Sequence, residues 1–406
     1  MNEMNPRIKT KRISPYYLIQ FLSSFSLGII IPVFVLYFRH RHLNLFEIAA
    51  LAVIFETSIA LFELPTGLVA DLYGRKLSVV LSLFTIAAAG VIFSISTVFW
   101  ALALAEIVQG IGETLKSGAF EAWVVDILKS DGREEKTGTV FATGVRFERI
   151  GYLLGLVAGG YIGARQITAI WYPFALGHLV CGAVALSLMR EEPLASAGAP
   201  SRRGTTHLRK IIAEGLRAIG RQRILLVLFA FSFLASFGHE TVDQYWQVHF
   251  SEDLGIDPRA FGWLVGLSTG AVILLVTAVT RLLGRPRTQR YGLIILEGLA
   301  AACVATLALT VSPFVAMGLF MALEAFRGFK KPIFLNLLNR HIPSEARATL
   351  LSLQNLLGSL GEAMAGLIIG GVAFYLGIRF CFGLGAVVLG LGVAVLVLST
   401  RRGSND

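Results

Sequence analysis

The sequence predicts an all-α membrane protein: twelve transmembrane helices in two pseudo-symmetric six-helix bundles. Three observations lead there. Of 406 residues, 55% are hydrophobic and only 15% charged, and the mean hydropathy of +0.70 is too high for a soluble globular chain of this size. Apolar runs of about 20 residues, the length that crosses a hydrocarbon core, recur along the whole chain. The one long polar stretch falls after the sixth of them.

The first six runs cover roughly 15–38, 45–71, 76–98, 100–127, 138–163 and 166–190, and the second six roughly 222–250, 258–283, 289–311, 313–335, 346–375 and 377–400. The expected domains are therefore an N-terminal six-helix bundle (1–190), a cytoplasmic linker (191–221) and a C-terminal six-helix bundle (222–406). The linker opens on the flexible composition Ala195-Ser-Ala-Gly-Ala-Pro-Ser201. It then places Leu208, Ile211, Ile212, Leu216 and Ile219 at helical spacing with cations opposite, the pattern of a helix lying on an anionic membrane surface.

The net charge of +10 sits in short segments between apolar runs, which is membrane topology rather than a nucleic-acid-binding face. If the runs alternate, Arg7 to Arg12, Arg75 and Lys76, Lys129 to Lys136, Arg202 to Arg223, Arg281 to Arg290, Arg340 to Arg347, and Arg401 with Arg402 share one side. A multi-pass protein of the cell (inner) membrane with both termini cytoplasmic is expected. Arg39, His40, Arg41 and His42 depart from this rule. The first run is too long for a signal peptide, lacks a small-residue cleavage site, and is expected to be retained. Cys181, Cys303 and Cys381 lie inside apolar runs without metal spacing and are read as inert packing residues.

The segment Glu63-Leu-Pro-Thr-Gly-Leu-Val-Ala-Asp-Leu-Tyr-Gly-Arg-Lys76 joins the second run to the third. Gly67 and Gly74 are expected to permit close backbone approach and a tight turn, with Asp71, Arg75 and Lys76 at the membrane edge. The segment resembles the signature loop between helices 2 and 3 of the major facilitator superfamily of secondary transporters. A degraded copy, Arg281-Leu-Leu-Gly-Arg-Pro-Arg287, keeps Gly284 and Arg285 but has Arg281 in place of Asp71, as expected of a duplicated architecture.

Ionisable residues inside the spans carry the functional reading, because each is costly without a wet cavity or a partner. On span 4, at about 100° per residue, Glu106, Gln109, Glu113 and Lys116 share one face, with Glu121 at its edge and Asp126 pointing away at the cytoplasmic end. The resemblance implies that Asp126 pairs with Arg75 as an inner-gate salt bridge; by itself, Asp126 equally ends a helix in water. Drug antiporters of the superfamily carry Arg-x-x-Gln-Gly here, whereas this chain has Glu106-Ile-Val-Gln-Gly110. Ser117-Gly-Ala-Phe-Glu-Ala-Trp123 is instead similar to a group of bacterial drug-efflux-type permeases.

Span 5 carries Gly151, Gly155, Gly159 and Gly163, a small-residue ridge for close helix packing that also resembles the glycine-rich helix 5 of antiporters without its Pro. Arg146, Glu148 and Arg149 either cap a cavity floor or snorkel to the cytoplasm. Span 7 places Glu240, Asp243 and Gln247 on one face beside His239, Gln244, Tyr245 and Trp246. Its two carboxylates either form a coupling site or mark a helix end in water. Span 10 brings Glu324, Arg327, Lys330 and Lys331. Arg327 is read as a counter-ion to an acid on span 4 or 11, and the two lysines as a solvated inner helix end. Span 11 aligns Asn355, Ser359 and Glu362, and the resemblance implies that its start at Ser344 and Arg347 receives Asp71 across the gate at the positive end of the helix.

No P-loop, metal spacing or nucleophile elbow is present, so neither an enzyme nor a nucleotide-driven pump is expected, and no cofactor. The resemblance implies a secondary active transporter working by alternating access, with a proton-coupled exporter of a small amphipathic organic compound as the first reading. Proton-coupled uptake of a metabolite and a transporter-like receptor are the alternatives. Expected partners are a small-molecule substrate, protons or another coupling ion and the lipid bilayer, with no nucleic acid and a monomer as the working unit.

Overall fold

A computed structural model describes residues 6–190, 223–283, 288–342 and 347–402. Fourteen α-helices and no strand occur among them. They are α1 (Pro6–Ile30), α2 (Phe34–His40), α3 (Leu45–Tyr73), α4 (Arg75–Ile95), α5 (Phe99–Lys116), α6 (Ala119–Ser130) and α7 (Thr137–Arg165). After these come α8 (Trp171–Leu188), α9 (Arg223–Val248), α10 (Arg259–Leu283), α11 (Gln289–Leu309), α12 (Pro313–His341), α13 (Arg347–Leu376) and α14 (Ile378–Arg402). The amphipathic linker segment, Gly284, Arg285 and Ser344 lie outside the described residues.

Two of the predicted spans are interrupted, and the fourteen helices make the expected twelve passes. The first is α1 and α2 joined by a short 3-10 turn at Ile31–Val33, where Pro32 has no N–H to continue the ladder. The fourth is α5 and α6, because Ser117 leaves the helix and Gly118 takes φ +70°, a conformation that a Cβ disfavours. Counting 100° per residue across residues 106–121 therefore fails, and Glu121 does not continue the face of α5.

Nine helical stretches among the described residues are long and apolar enough to cross a membrane. The three passes outside that group are α5 with α6, α7 and α12. Charge separates them, since α7 and α12 each run 29 residues. Glu106, Glu113 and Lys116 interrupt α5, Arg146, Glu148 and Arg149 interrupt α7, and Glu324, Arg327, Lys330 and Lys331 interrupt α12. A bilayer tolerates such residues where they face protein or a wet cavity.

The chain divides into two compact units, one of residues 1–43, 51–197 and 257–263, the other of residues 44–50, 198–256 and 264–406. In the first, Tyr16, Phe120, Trp123, Ile127 and Cys181 form a buried core that draws α1, α6 and α8 together. Arg12 at the start of this core pairs with the buried Asp131 just after α6 at 2.5 Å. In the second, Leu228, Phe231, Leu293, Ile333 and Leu338 form the corresponding core among α9, α11 and α12. The three cysteines are free and buried.

Candidate functional site

The signature segment is mostly helix. Asp71 belongs to the last turn of α3, and one residue, Gly74 at φ 100°, turns the chain into α4. This turn sets Arg75 at the first position of α4, from which its guanidinium reaches α6. It pairs with Asp126 Oδ2 at 2.5 Å and donates to the Ala122 carbonyl at 2.5 Å. Ser78, one turn on, donates to the Leu115 carbonyl in the last turn of α5 at 2.6 Å. Asp71 is exposed, and Lys76 is half-buried. A Cβ on Gly67 would meet nothing within 4 Å, so no close backbone approach requires glycine there.

Along α5, Glu106 is only 3% exposed and Gln109 is buried, while Glu113 and Lys116 are half-buried. Glu106 has no hydrogen-bond or ion-pair partner among the described residues. The Oε1 of Gln109 is likewise unpartnered. Lys116 turns away from Glu113 and donates to Ser23 Oγ at 3.4 Å. Ser23 in turn lies 3.4 Å from His178 Nε2, whose Nδ1–H is satisfied by the Phe174 carbonyl at 2.9 Å. The result is a donor chain from α5 through α1 to α8. His178 escapes a sequence reading because it is one polar residue in an apolar run. Glu121 is exposed on α6, and Ser117 at the break donates to Glu63 at 3.0 Å.

The glycine ridge of α7 packs on α1 in register. Cβ atoms at Gly151, Gly155 and Gly159 would run into the carbonyls of Phe21, Phe25 and Ile29, and one at Gly163 into Val33. Each step of four on one helix meets a step of four on the other, the geometry that small residues permit. Arg146 and Arg149 are exposed and Glu148 half-buried.

The second unit carries the larger charge network. Arg327 on α12 grips Asp243 on α9 with both terminal nitrogens, at 2.7 and 2.6 Å, and also reaches Glu324 at 2.7 Å. The expected counter-ion on span 4 or 11 is thus corrected. A guanidinium fork matches a carboxylate bidentately, and Asp243 on the facing helix offers that geometry. Lys330 is not a solvated helix end. It pairs with Glu297 on α11 at 2.5 Å, and His239 on α9 lies 3.0 Å from Lys330 and 3.4 Å from Glu297. Lys331 alone is exposed, one residue round the helix.

Glu240 is half-buried and Gln247 buried on α9, and Asp243, between them on the same helix, is engaged by Arg327. Glu362 on α13 accepts a hydrogen bond from Ser236 at 3.2 Å. Asn355 and Ser359 on the same helix are exposed. Glu297 is missing from the residues singled out by sequence, and its only signal is an acid within the apolar α11.

The chain matches the model of the Major Facilitator Superfamily over residues 16–366 and again over 232–405. It is 25% identical to the Bacillus subtilis (strain 168) protein described as an uncharacterized MFS-type transporter, YxaM, across 97% of both chains. It is 22% identical to multidrug resistance protein 1 of the same organism, across 93% of each. Among solved structures, the nucleoside transporter NupG superposes with a TM-score of 0.77 at 16% identity, covering 96% of this chain and 98% of that one. The twelve-pass fold, the signature turn and the matches over nearly the whole length together make this chain a member of the major facilitator superfamily of membrane transporters.

Proposed function

We propose that the protein is a proton-coupled exporter of a small amphipathic organic compound, operating by alternating access in the cell (inner) membrane with both termini cytoplasmic. The observation that carries this reading is Glu106, a carboxyl buried in a transmembrane helix with no described partner. An ionised carboxylate without a partner is costly in such a place, so its charge state is governed by proton supply and by conformation. Glu113, half-buried on the same helix, and Glu362, held by a single hydroxyl, are further proton carriers. Gly67, Asp71, Gly74, Arg75, Lys76 and Asp126 form the cytoplasmic latch, with the Arg75–Asp126 pair as its joint. Export rather than uptake is supported by relatives whose names denote multidrug resistance.

The test is reconstitution in liposomes with an imposed pH gradient, using ethidium and a panel of uncharged amphipathic dyes as probes. Gradient-driven accumulation that collapses with a protonophore is expected. Movement that ignores the gradient, or follows a sodium gradient instead, overturns the proton-coupled reading.

A further inference from the structure

Arg327 and Lys330, inside α12, each hold a carboxylate at 2.5–2.7 Å. Lys116, inside the fourth pass, holds none among the described residues. Its contacts there are neutral, namely Ser23 Oγ on α1 at 3.4 Å and the ring of Phe120, whose centroid lies 5.8 Å from Nζ. α5 starts at Phe99 and α6 ends at Ser130, so Lys116 stands near the middle of the pass. More than roughly 20 Å of helix separates it from either end, at about 1.5 Å per residue. That is farther than a lysine snorkels.

The nearby acids do not answer this cation. Glu113, one turn back, is half-buried and makes no pair with it, Glu106 lies about 15 Å away along α5, and Glu121 is exposed beyond the break at Gly118. The C-terminal end of α5 supplies only about half a negative charge. A whole cation at this depth calls for water or an anion.

Three helices of the first unit fix where the ammonium sits. The Phe174 carbonyl takes the Nδ1–H of His178 at 2.9 Å, so a neutral ring offers Nε2 as an acceptor. Ser23 Oγ, 3.4 Å from that nitrogen, directs its single hydrogen there and keeps its lone pairs for Lys116. Both residues are buried. One ammonium hydrogen is thereby engaged and two remain, on a half-buried side chain. A carboxylate suits them, because it brings one full negative charge and two acceptor oxygens. A phosphate would bring further charge that a single lysine does not balance.

We propose that Lys116 binds the carboxylate of an amphipathic organic acid, and that Ser23 and His178 are positioning residues that aim its ammonium. The carboxylate oxygens accept the two remaining N–H groups, and the neutral chain behind Lys116 leaves its charge undiminished. This inference rests on the exporter reading and names the charge at the polar end of the substrate.

The test is fluorescence titration of the full chain in lipid nanodiscs at about pH 7, with empty discs subtracted and three probes that share one fluorophore. At this pH dansylglycine carries a carboxylate, dansylamide no charge and dansylcadaverine an ammonium. Wild type is expected to bind dansylglycine about tenfold more tightly than dansylamide, the worth of one charge-assisted hydrogen bond. Lys116→Gln should bring that ratio to about one, and Lys116→Arg should keep most of it. Ser23→Ala should lower the ratio about threefold with dansylamide affinity unchanged. General loss of structure would not do this, so Ser23→Ala carries the test if the Gln variant does not fold. Wild type that binds none of the probes, binds them alike or prefers dansylcadaverine overturns the assignment, as does an unchanged ratio in folded Lys116→Gln or Ser23→Ala. No gradient is needed. A protein that shows the ratio but no gradient-driven movement overturns proton-coupled export and keeps the subsite, whereas uphill dye movement without the ratio overturns the subsite alone.

Discussion

Lys330 Nζ lies 2.5 Å from Glu297 Oε2, with the lysine side chain 12% exposed and the glutamate 1%, so a full ion pair joins α12 to α11 inside the second unit. Removing one member leaves the other charged, desolvated and unanswered. Glu297→Leu should destabilise the protein by about 3–5 kcal/mol. The double variant Glu297→Leu with Lys330→Met removes both charges and should recover most of that loss. Thermal unfolding of the two variants beside wild type checks this. Equal loss in single and double variants would show that packing, not charge, dominates.

The glycines divide by what a methyl group would strike. Gly155→Ala drives a Cβ into the Phe25 carbonyl and the Gly28 backbone, neither of which yields easily. About 1–3 kcal/mol of destabilisation is expected. Gly67→Ala meets open space and should change stability by no more than about 0.5 kcal/mol. Melting temperatures of the two variants in one detergent test the contrast.

The Arg75–Asp126 pair is half-open to solvent, with side chains 29% and 37% exposed. Asp126→Asn should therefore cost less than about 1 kcal/mol of stability. Its effect belongs to cycling: transport should fall about tenfold or more, equivalent to about 1.4 kcal/mol on the barrier, with substrate affinity nearly unchanged. Asp71→Asn should behave alike. Binding and turnover measured on the same preparations separate gate from binding site, and lost affinity at normal turnover would place these residues against the substrate.

What can be read from sequence depends on whether partners lie close along the chain. Gly74, Arg75 and Asp71 form one contiguous pattern, so the turn between α3 and α4 is legible. The register of Gly151, Gly155, Gly159 and Gly163 is legible because helical spacing fixes it. Glu297 and Lys330 are 33 residues apart on different helices, and nothing local links them. Lys330 resembles a snorkelling cation because its position near the helix end is visible in the sequence and its acid is not. Glu121 leaves its expected face because one residue, Gly118, resets the helical phase. Lys116 looks like a partner for Glu113 by spacing, whereas Ser23 and His178 come from helices whose approach only the packing reveals.

Carboxyls without cation partners inside the spans are proposed to carry the coupling proton, and Glu106 is the clearest case. Glu106→Gln keeps size and hydrogen bonding while removing the titratable group. The decisive experiment is dye movement in liposomes, run once uphill under a pH gradient and once as equilibrium exchange without one. Folded Glu106→Gln protein is expected to lose uphill accumulation and retain exchange. Undiminished uphill accumulation by that variant would refute Glu106 as the coupling carboxyl.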